Sequence, residues 1–251
     1  MKKIEIYLQA RMGSTRLPGK TLLPIMGRPI LYYQLSQLKH ISEQAKTVVL
    51  TTTSIHDDPI ISLCQTLKVD YFRGSKDDVL ARYYFAAQKR RPDGIIRITG
   101  DCPLIDPELI SQMIQAYREN EKNYDLVSNV IKRTFPRGED IEIFSFEALE
   151  KAFNESEDLG EREHVTQHFY KNPLQYRLKS FEGSTDLSQH RWTVDTIEDF
   201  RLIKNLLQEV YRENEPFHMQ DILRALTRHP EWNQINAHIK QKDVKATPGW
   251  G

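Results

Sequence analysis

The first half of the chain alternates short apolar runs with longer segments whose apolar residues recur at helical spacing. Strands are predicted at residues 4–8, 47–52, 69–72 and 94–98. Apolar side chains at i, i+3 and i+4 predict helices at 28–41, 57–68 and 78–90. This strict alternation indicates an α/β fold, with a Rossmann-like, mostly parallel sheet and helices on both faces.

The second half of the chain is less regular. Strands are predicted at 125–130, 140–144 and 176–181, and helices at 145–156, 161–172 and 196–214. A final pair of helices, at 219–228 and 230–241, leads to a tail, "KATPGWG", that is predicted to be loose. Asp57, followed by Pro59, and Asp106, followed by Pro107, are predicted to cap helices at their N-termini.

Length and composition narrow the class of protein. A chain of 251 residues can bury one substantial core, and its 35 basic and 35 acidic side chains balance. Broad nucleic-acid binding normally shows as a basic excess, so we expect no nucleic-acid partner. No run approaches the ~20 apolar residues of a membrane span, and we expect a soluble, cytoplasmic protein. Two cysteines are too few for a disulfide framework or a cysteine zinc site, and Cys64 is predicted to lie in the core.

The stretch "QARMGSTRLPGK", residues 9–20, directly follows the first predicted strand. Ligands of open parallel sheets bind beyond the carboxyl ends of the strands, so this position favours a binding site. Gly13 admits a ligand close to the backbone, and Ser14 and Thr15 offer hydroxyl groups. The cations of the loop are Arg11, Arg16 and Lys20. They would repel one another unless an anion lay among them.

A solvated basic turn is the alternative interpretation of this loop, but Pro18 and Pro24 stiffen it. Three cations suit a triphosphate better than a dinucleotide. The loop carries neither the G-x-G-x-x-G of dinucleotide-binding folds nor the G-x-x-x-x-G-K-S/T of P-loops. The sequence therefore indicates an anion site that uses neither of these two mechanisms.

The loop and its continuation, "QARMGSTRLPGKTLLPIMGRPIL", resemble the signature of sugar nucleotidyltransferases, most closely the spore coat polysaccharide biosynthesis cytidylyltransferase family. The resemblance continues through "TTTSIHDD", "FRGSKDDVLARY", "RITGDCPLIDPELI", "DLVSNV", "FPRGEDIEIFSFEAL", "EREHVT" and "RWTVDTIEDF", and so covers about 3–207. It implies a nucleotidyltransferase fold, similar to that of GT-A enzymes, with a smaller sugar-binding and dimerisation arm.

The resemblance also implies how the chain is divided. A single nucleotidyltransferase domain would span 1–240, followed by the loose tail at 241–251. Within the domain, 1–129 would bind the nucleotide, 130–215 would bind the sugar and complete the metal site, and 216–240 would form the C-terminal helices.

The implied reaction is attack by a sugar oxygen on the α-phosphorus of CTP, with release of pyrophosphate. Arg11, Arg16 and Lys20 would neutralise the β- and γ-phosphates, and Asp101 would complete the catalytic set. Such a reaction uses a divalent cation, here Mg²⁺, and requires no covalent nucleophile.

Two aspartates are the candidate metal ligands. Asp101 ends a predicted strand after Gly100, and the alternative role of helix cap is already filled by Asp106. Asp195 lies before a predicted helix that Thr196 is able to cap. Related cytidylyltransferases carry an Asp-Thr-x-x-Asp block here, and the resemblance implies that Asp195 shares the magnesium with Asp101.

The remaining site residues divide into two groups. The implied nucleotide-binding residues are Leu8, Gln9, Ala10, Arg11, Met12, Gly13, Ser14, Thr15, Arg16, Lys20, Thr52, Thr53, Arg73, Gly74, Ser75 and Gly100. The implied sugar-binding residues are Arg137, Asp140, Glu142, Arg162, Glu163 and His164. Ordinary β-propensity is the alternative explanation of the threonines, and a solvated helix with intrahelical ion pairs is that of "EREHVTQHFYK". His164, Asp140 and metal-bound water are all candidates for the proton acceptor.

An acidic sugar of the nonulosonic class, such as legionaminic, pseudaminic or sialic acid, is the expected partner of CTP. A sugar 1-phosphate acceptor or another nucleoside triphosphate is the alternative. A GT-A-type glycosyltransferase is disfavoured because Pro103 replaces the second acid of Asp-x-Asp, and a non-catalytic nucleotide-binding protein would not require both acids and three cations. We also expect a homodimer in which "RTFPRGEDIEIF" forms an arm covered by the partner.

Overall fold

The computed structural model describes residues 3–120 and 123–240, so the predicted loose tail lies outside the described residues. The strands are β1 Ile4–Gln9, β2 Pro24–Ile25, β3 Arg28–Pro29, β4 Lys46–Thr52, β5 Asp70–Gly74, β6 Gly94–Thr99, β7 Leu126–Ser128, β8 Glu142–Ser145 and β9 Leu178–Ser180. The α-helices are α1 Ile30–Lys39, α2 Asp58–Leu67, α3 Val79–Arg90, α4 Pro107–Asn120, α5 Phe146–Glu155, α6 Leu159–Glu163, α7 Gln167–Lys171, α8 Ile197–Val210 and α9 Met219–Arg228. Short 3₁₀ turns occupy Lys20–Leu22, Ile55–Asp57 and Pro230–Gln234.

Seven of the described strands form one sheet in the order β5-β4-β1-β6-β8-β7-β9. β1 pairs in parallel with β4 and β6, β4 with β5, and β7 with β9. β8 alone runs antiparallel to its neighbours, β6 and β7. The predicted mostly parallel α/β sheet is confirmed, and the carboxyl ends of β1, β4, β5 and β6 share one edge.

Helices cover both faces of the sheet, so side chains on both sides of β1 are buried. Ile6 and Leu8 face one core with α1, α2 and α4, where Cys64 is also buried as predicted. Tyr7 faces a second core with α3, α5 and α7. Burial of each such side chain stabilises the fold by roughly 1.5–3 kcal/mol.

A third apolar cluster joins the C-terminal helices to the segment before α8. Trp192 and Val194 pack with α8, with α9 and with Ile25 of the short β2–β3 hairpin. These apolar contacts therefore fix the segment that leads into Asp195.

Two of the predicted helices are wrong. Residues 161–172 form not one helix but α6 and α7, separated by a turn in which Val165 takes a φ of 45° and is fully buried. Residues 230–234 form a 3₁₀ turn, and no α-helix follows in the described residues of 230–241. Asn236 is buried there and donates to the carbonyl of Arg191 and to Asp199, so tertiary contacts fix this segment.

Part of the predicted arm lies in the main sheet. β8 takes up the end of "RTFPRGEDIEIF" and lies between β6 and β7, with Ile141, Ile143 and Phe144 fully buried by the same chain. These apolar residues are therefore not left for a partner to cover, and the homodimer stays a prediction. Among the described residues, no helix combines the length and apolarity needed to cross a bilayer.

Candidate active site

The loop after β1 is closed on itself. The amides of Ser14 and Gly19 both donate to the carbonyl of Met12, at 2.9 and 3.3 Å, and the Thr21 hydroxyl donates to the carbonyl of Arg11 at 2.9 Å. Gly19 turns the chain with a φ of +68°, a conformation that glycine adopts without steric cost. This fold directs Arg16 and Lys20 toward the carboxyl end of β6.

Lys20 lies at the centre of the site. Its Nζ atom is 2.8 Å from Asp101 Oδ2, 2.8 Å from Asp195 Oδ1 and 2.7 Å from the carbonyl oxygen of Val194. Burial alone would lower the pKa of Lys20, but the two carboxylates outweigh it and raise that pKa. Residues far apart in the chain are thus joined by one ammonium group.

Asp195 contacts three cations. Besides Lys20, its Oδ1 atom lies 2.7 Å from Arg16 Nη2, and its Oδ2 atom lies 2.9 Å from Arg191 Nη2. Arg191 also binds Asp199 through Nε and Nη2, at 2.9 and 3.0 Å. Asp199 is fully buried and accepts from the amides of Asp195 and Thr196, so it fixes both the backbone and the cationic partner of Asp195.

Asp101 follows β6 and is tied to the same segment through its backbone. Its carbonyl accepts from the amide of Val194 at 2.8 Å and from the Thr193 hydroxyl at 3.2 Å. Burial opposes ionisation of Asp101, but the Lys20 ammonium holds its pKa below the ordinary value. Gly100 is needed for packing, because a Cβ atom there would approach Ala10 Cβ to 2.9 Å.

The residues present fit a hard divalent cation. Two carboxylates and one backbone carbonyl converge on a single cation, which is the donor set that Mg²⁺ uses together with water and substrate phosphates. Groups of three or more His, Cys, Asp or Glu able to hold a metal do not occur in the described part of the chain. A magnesium-type site completed by a ligand is therefore a better match than a zinc-type site.

Asp57 occupies the N-cap position of α2 as predicted, with proline in the first turn, but its carboxylate fixes the loop instead of capping the helix. Its carboxylate accepts from the Met12 amide at 2.8 Å and from the amide and hydroxyl of Thr52, and it makes no capping bond to α2. Although burial opposes it, these hydrogen bonds hold the pKa of Asp57 below its usual range. The loop after β1 is thereby pinned to the end of β4. The other predicted cap is confirmed, because Asp106 accepts from the Glu108 amide at 2.8 Å.

The predicted base-binding side chains are largely engaged within the protein. Arg73 donates to the carbonyls of Thr52 and Ser54 and pairs with Asp58 at 2.9 Å. Thr52 is buried against Asp57, whereas Thr53 is exposed. The nucleotide-binding set therefore stays a prediction.

A small cavity of about 140 Å³ opens beside the end of β1. Arg82 borders it, fully buried, with Nε and Nη2 donating to the Ser75 carbonyl at 2.9 and 2.7 Å. His164 and Glu163 lie on its far side, and Glu163 is 3.9 Å from Arg11. Two of the predicted sugar-binding residues, Glu163 and His164, thus lie beside the loop that follows β1.

The other predicted sugar residues have different surroundings. Asp140 pairs with Arg133 through two bonds, of 2.5 and 3.1 Å, and Glu142 is buried against Arg97 and Tyr170. Arg162 binds Asp78 at 2.7 Å and two backbone carbonyls, which ties α6 to α3 and α5. Arg137 is half-buried, and its guanidinium makes no hydrogen bond or ion pair with any described residue.

Sequence reasoning missed the residues that hold the site in shape. They are Asp57, Arg82, Arg191, Asp199 and Asn236. Two of them had a readable signal: Asp57 precedes Pro59 at a helix start, and Thr196 and Asp199 form the Thr-x-x-Asp pattern of a capping box, which the structure contains. Asp57 and Asn236 act through contacts with distant parts of the chain, and Arg82 and Arg191 through loop geometry, neither of which periodicity shows.

Comparison with known proteins agrees with this geometry. A profile of the cytidylyltransferase family matches residues 6–226. The spore coat polysaccharide biosynthesis protein SpsF of Bacillus subtilis is 32% identical over 241 residues, which cover 92% of this chain and 97% of that protein.

Solved structures show the same architecture. A cytidylyltransferase from Leptospira borgpetersenii superposes with a TM-score of 0.89 at 35% identity, covering 97% of this chain and all of that one. A CMP:2-keto-3-deoxy-manno-octonic acid synthetase complexed with CTP shares the fold, with a TM-score of 0.63 at 18% identity over 82% of this chain and 98% of its own. From the loop, the paired carboxylates and these matches, we conclude that the chain belongs to the cytidylyltransferase family.

Proposed function

We propose that the protein transfers CMP from CTP to an acidic sugar of surface or spore-coat polysaccharide biosynthesis, a nonulosonic acid being the leading class. The observation that carries this proposal is the convergence of Lys20 and Arg16 on Asp101 and Asp195 at the carboxyl edge of the sheet. The relationship to SpsF supports the polysaccharide context.

In the proposed reaction an acceptor hydroxyl oxygen forms a bond to the α-phosphorus, the bond to the β-phosphate bridging oxygen breaks, and pyrophosphate leaves. The loop cations Arg11, Arg16 and Lys20 would bind the β- and γ-phosphates and offset the charge that builds on the leaving group. A magnesium ion held by Asp101 and Asp195 would supply electrostatic stabilisation of the phosphates.

The acceptor carboxylate would be held by arginine. Arg137 is the better candidate of the two predicted arginines, because Arg162 already binds Asp78 whereas the Arg137 guanidinium makes no hydrogen bond or ion pair within the described residues. His164 is favoured to take the acceptor proton. Burial, together with the charges of Arg97 and Arg11, lowers the pKa of His164 despite the opposing effect of Glu163 and leaves a neutral imidazole at neutral pH.

A panel of nucleoside triphosphates tests the proposal. CTP, UTP, TTP, ATP and GTP would each be combined with acid sugars and with hexose 1-phosphates, and pyrophosphate release would be measured. We expect release only with CTP and an acid sugar. A preference for UTP or TTP with a hexose 1-phosphate would replace this proposal with the sugar 1-phosphate alternative.

A further inference from the structure

The oxygen atoms around Lys20 form a cation site that already contains a cation. Three of them lie within 2.8 Å of Nζ: Asp101 Oδ2, Asp195 Oδ1 and the Val194 carbonyl oxygen. Two of the three belong to carboxylates, and the Lys20 side chain is only 13% exposed. Water therefore has little access to replace the ammonium group.

A divalent metal bound by both carboxylates would have to take these same oxygen atoms. Magnesium sits about 2.0–2.1 Å from its ligands, so it would lie within the space that the ammonium group now fills. An ammonium and a dication so close would also repel each other strongly in a partly buried site. The two cations therefore cannot both occupy it.

Lys20 is the cation that a metal must displace to reach both carboxylates, although Arg16 and Arg191 also contact Asp195. Among the described carboxylates, Arg16 pairs with Asp195 alone. Arg191 binds the other oxygen of Asp195 and is held in place by Asp199. Lys20 alone bridges both carboxylates, and its flexible four-carbon side chain leaves it free to move to another anion.

We propose that the Lys20 ammonium and the divalent cation are alternative occupants of this one site, and that an arriving triphosphate exchanges them by drawing Lys20 onto its phosphates. Only the identity of the arriving ligand rests on the proposed function. The exchange makes the free enzyme a weak metal binder, and it makes nucleotide and metal raise each other's affinity by the same factor. Lys20 thus has a second role, that of keeping the acid pair neutralised and positioned before substrate binds.

Manganese binding to the full-length protein without nucleotide tests this directly. The electron paramagnetic resonance signal of free Mn²⁺ would be titrated with wild type, Lys20→Met and Lys20→Arg. We expect Lys20→Met to bind Mn²⁺ roughly 10-fold or more tightly than wild type, whereas Lys20→Arg, which keeps a cation, should remain weak. Adding Asp101→Asn to Lys20→Met should abolish the gain.

Several outcomes would overturn the inference. One is an Mn²⁺ affinity of Lys20→Met equal to or below that of wild type. The others are a gain in Mn²⁺ affinity that persists when Asp101→Asn is added, and an equal gain in Lys20→Arg. Lys20→Gln, which is neutral and closer in polarity, serves if Lys20→Met does not fold as judged by circular dichroism. The readout is independent of the reaction, because a failed triphosphate panel with the expected manganese result would remove the proposed function and leave this inference standing.

Discussion

Asp101 and Asp195 are held in different ways, although both contact the Lys20 ammonium. Asp195 has three cationic partners and only 8% side-chain exposure, whereas the Asp101 side chain has one cationic partner and is 25% exposed. Asp101 is therefore the more accessible carboxylate for an incoming metal and nucleotide. Asp195 is the more firmly positioned of the two.

We expect Asp101→Asn and Asp195→Asn each to lower turnover by roughly 100- to 1,000-fold, because a neutral amide cannot replace the charge that a hard cation requires. Extra Mg²⁺ should rescue Asp195→Asn better than Asp101→Asn. The double variant should lose much less than the sum of the two effects, since both act through one ion. A magnesium titration of turnover for the four proteins measures this, and additive losses would remove Asp195 from the metal site.

His164 gives a prediction of pH dependence. A base must be deprotonated to act, so turnover should fall as the pH drops through the pKa of His164, which lies below the usual value of about 6.5. His164→Gln should lower turnover by roughly 100-fold or more and remove this acid limb. Pyrophosphate release measured from pH 5 to 8 is the test. An unchanged acid limb in the variant would assign the proton to another group.

At the scale of elements, the loop after β1 depends on the short turn before α2. Asp57 in that turn accepts from the Met12 amide and from Thr52. Replacing Asp57 with asparagine puts a donor where an acceptor is needed and leaves a buried partner unsatisfied. The loop and the end of β4 would then separate.

We therefore expect Asp57→Asn to lower stability by about 1–3 kcal/mol and kcat/KM for CTP by roughly 10- to 100-fold. Asp58→Asn is the matched control, because Asp58 is an exposed neighbour whose ion pair with Arg73 should contribute about 1 kcal/mol or less. Urea unfolding and steady-state kinetics of both variants measure the difference. Equal effects of the two substitutions would show that Asp57 does not position the loop.

The elements were predictable where a local pattern decides them. β1, α3 and α8 follow apolar periodicity, and their observed bounds differ from the predicted ones by four residues at most. The break between α6 and α7 was missed because burial of Val165 in the second core outweighs the helical preference of the flanking residues. Asp57 has the sequence position of a helix cap, but the distant Met12 amide and the donors of Thr52 bind its carboxylate in place of the helix amides.

The candidate site likewise has a part that the sequence predicts and a part that depends on tertiary contacts. The loop cations and the two acids were visible as charged residues at the ends of predicted strands. The structure brings Arg16 and Lys20 to the acids, whereas Arg11 lies beside Glu163. That Lys20 would bridge the acids was not predictable, because it depends on the path of the loop between Met12 and Thr21. The partners of Arg162 and Arg191 likewise follow from tertiary packing.

At the scale of the whole molecule, the C-terminal region is hydrogen-bonded to residues that position Asp195. Asn236 donates to the Arg191 carbonyl and to Asp199 Oδ1, both at 2.9 Å. Asp199 in turn fixes Arg191 and the backbone of Asp195. The residues after α9 are thus connected to a carboxylate of the active site through two buried contacts.

This connection predicts graded effects. Asp199→Asn leaves the buried Arg191 with one fewer anion and should cost about 3–5 kcal/mol, with a large loss of turnover. Asn236→Ala, the control, removes neutral donor bonds and should cost roughly 1–3 kcal/mol with a smaller effect on turnover. Denaturant unfolding and turnover of both proteins provide the comparison. A stable, fully active Asp199→Asn variant would contradict the supporting role.

Trp192 is an intrinsic fluorescent probe close to the candidate active site. Its indole is only 1% exposed, and it lies three residues before Asp195 in the segment that also holds the Val194 carbonyl. Of the other two tryptophans, Trp232 is half-buried and stacks on His229, and Trp250 lies in the last residues of the chain. Replacing both with phenylalanine would leave the emission of Trp192 alone. Its wavelength and intensity would then follow the segment that carries Asp195 in a stopped-flow experiment, without any added label.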